Sequence, residues 1–308
     1  MIRPTLLVTS LLLALLAGCD TLPTRVAATP DPTATASPVA SVEETPAAAP
    51  AGPVANDNLN AVVWMQTSVE FRLLAGQAFR VALMQLDKAL KTPGWDALPK
   101  EDRDTVAAGL PPAIIVDVDE TVLDNTPYQA RLVRDNKGFD DFTWNQWIQE
   151  RAARPLPGAL AFARAAAARG VTIYYISNRT ADQGPATVDN LRKDGFPIRD
   201  DSQFLGLGTV VDSCESDGSE KNCRRQLVGR THRVLMQFGD QLGDFVTILA
   251  NTPAGREQAV RPYLGWVGER WFVLPNPSYG SWEPALFNNA WSTPAGERRA
   301  DKLGALRY

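Results

Sequence analysis

Ile114-Ile115-Val116-Asp117-Val118-Asp119-Glu120-Thr121-Val122-Leu123-Asp124-Asn125 is the stretch from which the rest of the chain can be read. Its β-branched, fully apolar start predicts a central strand buried on both faces, as in a parallel sheet. Residues i and i+2 of a strand point to the same side, so Asp117 and Asp119 lie together where the strand leaves the sheet. In open α/β sheets ligands bind at the carboxyl ends of the strands. Two carboxylates this close repel each other unless a cation or a shared proton compensates them. A strand followed by an acidic turn would show the same residues, so the flanking sequence has to separate the two readings.

Upstream, residues 57–91 predict one long amphipathic helix with an apolar stripe of Trp64, Phe71, Leu74, Ala78, Ala82, Leu86 and Leu90, ended by Pro93-Gly94. A polar connection with a short helix around 101–108 leads into the strand. Downstream, residues 125–155 read as the least regular part. They carry Tyr128, Phe139, Phe142, Trp144 and Trp147, and they follow so directly on the aspartates that they are expected to lean over them. Pro157-Gly158 opens an alanine-rich helix that Gly170 stops, and Val171 to Ile176 is a second strand. Strand, helix and strand form a βαβ unit, which requires a parallel sheet and a right-handed crossover. A helix near 185–193, a strand near Phe204-Leu205, a helix near 221–228 and an apolar run over 232–238 continue the alternation.

Polar groups then stand at, or just beyond, successive strand ends: Asp117 and Asp119, Ser177 and Asn178, Lys221, Asp240 and Asp244. In a parallel sheet these share one edge. Carboxylates from two strands can hold one hard divalent cation, and oxygen-only donors select magnesium. A hydroxyl, an amide and a lysine opposite can neutralise and orient a phosphoryl group. Each has an ordinary reading alone: a helix N-cap, a solvated lysine, a Gly-Asp turn. Turns do not explain the ordered set.

Composition narrows the class. The chain has 308 residues and a formal net charge of −4, which argues against a general nucleic-acid binder. A single histidine, His232, excludes a His-rich metal site. Arg3, the apolar run from Leu6 to Leu16 and the small residues that follow read as a signal peptide over 1–18. Leu16-Ala17-Gly18-Cys19 resembles the bacterial lipobox, which implies lipidation of Cys19 and an exported lipoprotein on the inner or outer membrane or the cell surface. Residues 19–56, rich in Pro, Ala and Thr, cannot bury enough surface to offset their ordering entropy and read as a disordered tether. The folded domain is then 57–308. In an exported chain Cys214 and Cys223 either pair as a disulfide or remain two thiols.

The order and spacing of the polar groups resemble the haloacid dehalogenase superfamily: Asp-x-Asp-x-Thr from Asp117 to Thr121, then Ser177, Lys221, and Gly239-Asp240 with Asp244. Tyr-Tyr-Ile-Ser-Asn-Arg, Gly-Asp-Gln-Leu-Gly-Asp-Phe and Leu-Pro-Asn-Pro-Ser-Tyr-Gly-Ser-Trp-Glu narrow the resemblance to the bacterial class C acid phosphatases, a family that includes the lipoprotein 5′-nucleotidase e. The resemblance runs from Ala61 to Glu283. It implies an α/β fold, a three-layer haloacid dehalogenase-like (Rossmannoid) parallel sheet with an N-terminal helical segment and small cap insertions, and a homodimer. It implies Asp117 as nucleophile, Asp119 as acid and base, and Ser177, Asn178 and Lys221 as phosphate ligands. Mg2+ would be held by Asp117, the Asp119 carbonyl and Asp240, with Asp244 in support. Trp144 and Tyr279 match aromatics that sandwich a base, whereas Trp147 reads as core. The segment from Cys214 to Cys223 is longer and more acidic than the family's usual approach to its lysine.

The leading reading is a phosphatase of a small phosphorylated metabolite, nucleoside 5′-monophosphates or nicotinamide mononucleotide. A broad-specificity acid phosphatase and a non-catalytic ligand-binding lipoprotein are the alternatives, and the second has no use for both Asp117 and Asp119.

Overall fold

The computed structural model describes residues 53–308; Cys19, the signal peptide and nearly all of the tether lie outside these residues. Residues 57–91, expected as one helix, form two: α1 (Leu59–Thr67) and α2 (Val69–Lys91). Ser68 between them is extended, and its Oγ accepts a hydrogen bond from the Phe71 amide at 3.1 Å, so it starts a new helix as an N-cap. The new start also sets the buried face. Phe71, Ala75, Phe79, Ala82, Leu86 and Ala89 point inward, while Leu74 of the expected stripe is 47% exposed. Leu73, Leu74, Leu83 and Met84 widen the apolar face of this helix beyond what it buries, so periodicity alone left its phase open.

The short helix expected over 101–108 is only a 3-10 turn, Lys100–Asp102. The strand β1 (Pro112–Val116) follows, and then the segment expected to be irregular. It holds α3 (Thr126–Arg134) and α4 (Asp141–Glu150), closed at its base by the antiparallel pair β2 (Leu123–Asp124) and β3 (Arg154–Pro155). Pro127 suits the first turn of α3, and the Asp140 carboxylate caps α4 through the Thr143 amide at 2.9 Å. These caps are local signals that the aromatic density obscured. The remaining elements are α5 (Ala159–Ala167), β4 (Thr172–Thr180), α6 (Gly184–Asp194), β5 (Phe204–Leu207), α7 (Asn222–Thr231), β6 (Arg233–Gly239), α8 (Pro253–Val260), β7 (Trp271–Val273) and α9 (Ala295–Gly304). The sequence pattern predicts none of α8, β7 and α9.

Five strands form one sheet in the order β5-β4-β1-β6-β7, and every pairing in it is parallel. The strand β1 alternates as expected. Ile114 and Val116 enter the core beneath α2 and α5, and Ala113 and Ile115 enter the core on the other face, with Val228 of α7 and Phe245. Phe238 stacks on Phe79 at 5.1 Å and meets Phe162 at a tilt at 4.8 Å, tying the sheet to both helices. A ring buried in this way contributes about 3–5 kcal/mol, judged by truncation to alanine. Buried Arg233 closes the end of α2 by donating to the carbonyls of Ala89 and Thr92 at 3.0 and 2.9 Å. The chain runs from β1 outward to β5 and then returns to the other side of β1 with β6. The topological switch is therefore at the carboxyl end of β1. Among the described residues, no helix is long and apolar enough to cross a membrane.

Candidate active site

Asp117 follows β1 directly, its amide still bonded to the Phe238 carbonyl at 2.9 Å. One carboxylate oxygen accepts from Lys221 Nζ at 2.5 Å and the other from Thr121 Oγ1 at 2.9 Å. Lys221 also donates to Asp244 at 2.7 Å. Asp117, Asp240 and Asp244 each offer an oxygen within 4.8 Å of the others'. Asp240 is aimed by the side-chain amides of Gln241 and Asn276 at 2.7 and 2.8 Å, and Asp244 by the Gln241 backbone amide at 2.8 Å. Gly239 is required here, because a Cβ at this position would lie 2.4 Å from the Asp244 Cβ.

Burial, with Asp244 and Asp119 adding to it, pushes Asp117 up to about 7 although Lys221 pulls the other way. Burial and then Asp244 and Asp117 hold Asp240 well above the usual carboxylate range. Burial alone would lower Lys221, but Asp117 and Asp244 outweigh it and keep the ammonium charged. Two buried carboxylates, Asp117 and Asp244, and the half-buried Asp240 face one lysine, and the donors are all oxygen. That set fits a hard divalent cation.

The sign of the pH effect follows. A carboxyl near 7 in the folded chain and 3.8 when unexcited by burial binds extra protons on folding, so cation-free stability falls as pH rises from about 4 to about 7. A cation competes with those protons. Magnesium at one fixed concentration, a hundredfold above its Kd at pH 8, is expected to raise the unfolding midpoint of the full chain by roughly 5–10 °C at pH 8 and by far less at pH 5, where protons weaken its binding. Equal shifts at the two pH values would show that these carboxylates are not its ligands.

Asp119 is held separately. Arg179 donates to it through Nη2 and Nε at 2.8 and 3.0 Å, Asn125 through Nδ2 at 2.8 Å, and Ser177 through Oγ at 3.2 Å. Asn125 is itself positioned by the Trp147 indole at 2.8 Å, and Trp147 is buried, as expected of a core residue. Ser177, expected as a phosphate ligand, is fully buried; its hydroxyl donates to Asp119 and accepts from the Arg179 amide at 3.0 Å. Asn178 is exposed, and its Oδ1 accepts from Arg224 at 2.8 Å, which leaves its amide NH2 free to donate. Between Asp119 and Thr121, Glu120 has a left-handed backbone (φ 55), which costs a non-glycine residue roughly 1–2 kcal/mol. Its buried carboxylate accepts from the Asn125 amide at 2.7 Å and from the Tyr279 hydroxyl, fastening the turn to the loop that carries Tyr279.

Trp144 and Tyr279 line one cavity of about 1440 Å³ with Asp117, Asp119, Asn178, Lys221, Asp240 and Asp244. Trp144 packs edge-on against Tyr128 at 5.1 Å, and the Arg179 guanidinium lies over its ring at 5.3 Å. Cys214 and Cys223 are joined as a disulfide, and Lys221 stands inside the loop it closes, directly before α7. The sequence reading gave no role to Arg179, Asn125, Glu120, Gln241, Asn276 or Arg225. Arg225 is fully buried and donates to Asp102 at 2.6 Å and to the Gly243 carbonyl at 2.8 Å, so it braces the turn that presents Asp244. All but Arg225 stand inside the quoted motifs, where nothing in the local pattern assigns them a partner.

A family model described as HAD superfamily, subfamily IIIB (Acid phosphatase), matches residues 42–282. The structure of the class C acid phosphatase from Bacillus anthracis superimposes with a TM-score of 0.70 and 34% sequence identity, covering 82% of this chain and 97% of that one. This chain belongs to the class C acid phosphatases of the HAD superfamily. The same Bacillus anthracis enzyme with tungstate bound matches equally, at TM-score 0.70. Among proteins compared by sequence, Acid phosphatase 1 of Solanum lycopersicum is 28% identical over 166 residues, and a Stem 28 kDa glycoprotein of Glycine max is 26% identical over 171. The aligned parts span 57% and 58% of those two plant proteins. Family and sheet topology agree with the α/β class C acid phosphatase fold expected from the motifs.

Proposed function

We propose that the chain is a magnesium-dependent phosphomonoesterase that works through an aspartyl phosphate on Asp117. The observation that carries the reading is the placement of Asp117: buried at the switch point, paired with Lys221, and grouped with Asp240 and Asp244. The tungstate complex of the Bacillus anthracis relative supports it, because tungstate is a tetrahedral oxyanion like phosphate. An Asp117 oxygen attacks phosphorus as the ester P–O bond breaks, and the departing alkoxide takes a proton from Asp119. Water then attacks the aspartyl phosphate, gives its proton to the Asp119 carboxylate, and inorganic phosphate leaves with the Asp117 carboxylate restored. Arg179, Asn125 and Ser177 keep Asp119 in place for both transfers. Lys221 and the Asn178 amide meet phosphoryl oxygens. A magnesium ion on Asp117, the Asp119 carbonyl and Asp240 would supply charge neutralisation for a carboxylate approaching a phosphate dianion.

Trp144 and Tyr279 in the same cavity favour a leaving group with a flat ring, such as a nucleoside or nicotinamide riboside. Stacking on aromatic side chains is worth about 1–3 kcal/mol per base. The test is phosphate release by the full chain from nicotinamide mononucleotide, AMP, a sugar phosphate and an aryl phosphate, with magnesium or with chelator. Metal-dependent turnover favouring the two nucleotides is expected. Equal turnover of all four would make the enzyme a broad-specificity phosphatase, and none at all would leave a binding lipoprotein.

The disulfide supports an oxidising compartment, in line with an exported lipoprotein anchored through Cys19. Radiolabelled palmitate is expected on the chain made in a bacterial host and absent from Cys19→Ser; label on both would refute the anchor site.

A further inference from the structure

The family match ends at residue 282, but the cavity does not. Trp291 and, from α9, Arg298, Arg299 and Lys302 line it together with Asp117 and Lys221. Its volume of about 1440 Å³ also exceeds the roughly 300–1,000 Å³ of a small-molecule pocket, so a substrate longer than a mononucleotide fits.

The three cations of α9 are not equivalent. Arg299 is paired with Asp57 at 2.9 Å and Lys302 with Glu283 at 3.0 Å. Arg298 has no carboxylate partner among the described residues. Its guanidinium lies over the rings of Trp291 and Phe287 at 5.1 and 5.7 Å, and its Nε is buried without a hydrogen-bond partner. Rings hold the plane of this group in place while its donors stay unused. A guanidinium held flat at a cavity wall without a carboxylate partner is open to an anionic ligand atom. A planar guanidinium fork matches the oxygens of a phosphate group. Reaction at Asp117 needs only one phosphoryl group, and Lys221 already serves it.

We propose that Arg298, held on Phe287 and Trp291 with Arg299 and Lys302 beside it, forms a subsite for a second phosphate carried by the leaving group. The proposal rests on the reading of Asp117 as the reacting carboxylate elsewhere in the same cavity. It assigns a specificity role to residues beyond the family match.

The test is calorimetric binding of AMP and of adenosine 3′,5′-bisphosphate, with magnesium, to the full chain carrying Asp117→Asn, which needs no turnover. The bisphosphate is expected to bind about tenfold more tightly than AMP, the low end of what hydrogen bonds to charged groups supply. Adding Arg298→Gln should abolish most of that ratio, and Arg298→Lys should restore part of it. A ratio that Arg298→Gln leaves unchanged overturns the subsite, whether or not the variant also lowers the unfolding midpoint through lost ring packing. Failure of the phosphatase reading would show elsewhere, as wild-type chain that releases no phosphate from AMP.

Discussion

Asp117→Asn is expected to lower phosphate release at least about 10³-fold, equivalent to about 4 kcal/mol of lost transition-state stabilisation. An amide oxygen does not form the acyl phosphate, and the water-attack route that remains lacks the covalent step. The substitution preserves volume, so the packing around Val116 and Phe238 is kept. It also removes one of three mutually repelling carboxylates, whose crowding adds to the burial that pushes Asp117 up to about 7. The cation-free variant should therefore melt no lower than the parent at pH 8, while its response to magnesium shrinks. Steady-state release from AMP and thermal unfolding, measured on the same preparation, check both parts. Activity within tenfold of the parent, in a folded variant, would remove Asp117 from the role of nucleophile.

The second large effect is on stability. Arg225→Met is expected to cost about 3–5 kcal/mol, because it leaves the Asp102 carboxylate buried without its partner. In a domain of this size that corresponds to a midpoint lower by roughly 6–20 °C. Burial already raises the Asp102 pKa above its usual value despite the nearby guanidinium, so little else shields that charge. The variant also frees the Gly243 carbonyl and loosens the turn carrying Asp244, which should weaken the magnesium response beyond the general loss of stability. Pairing it with Asp102→Asn removes the stranded charge, and the double variant should recover part of the loss. Denaturant unfolding of the set decides the matter. A single variant within 1 kcal/mol of the parent would show that the pair contributes nothing net.

These two residues also differ in how visible they were. Asp117 could be found because its signal is local: an apolar β-branched run fixes a strand, and the period of two fixes where its carboxylate points. Asp119, Asp240 and Asp244 were legible for the same reason, each at a strand end or in the turn after it. Arg225 could not be found. Its partner Asp102 lies 123 residues away, and a lysine- and arginine-rich helix start after a polar loop reads as solvated. Arg179 was quoted within a motif without a role, because its carboxylate partner Asp119 is 60 residues distant.

Apolar periodicity and the alternation of strand and helix were enough to read the parallel α/β sheet, the edge at which the polar groups meet, and the carboxylates and lysine that stand there. Packing in three dimensions set the phase of α2, where Ser68 restarts the helix, and the order β5-β4-β1-β6-β7 with its added β7. It also decided the clamp on Asp119, the bracing of Asp244 by Arg225, and the arrival of α9 at the cavity. The division has a physical cause. Backbone geometry imposes a short period that can be read from neighbouring residues, whereas a buried ion pair or a cavity wall is chosen by desolvation between segments that meet only after the sheet has formed.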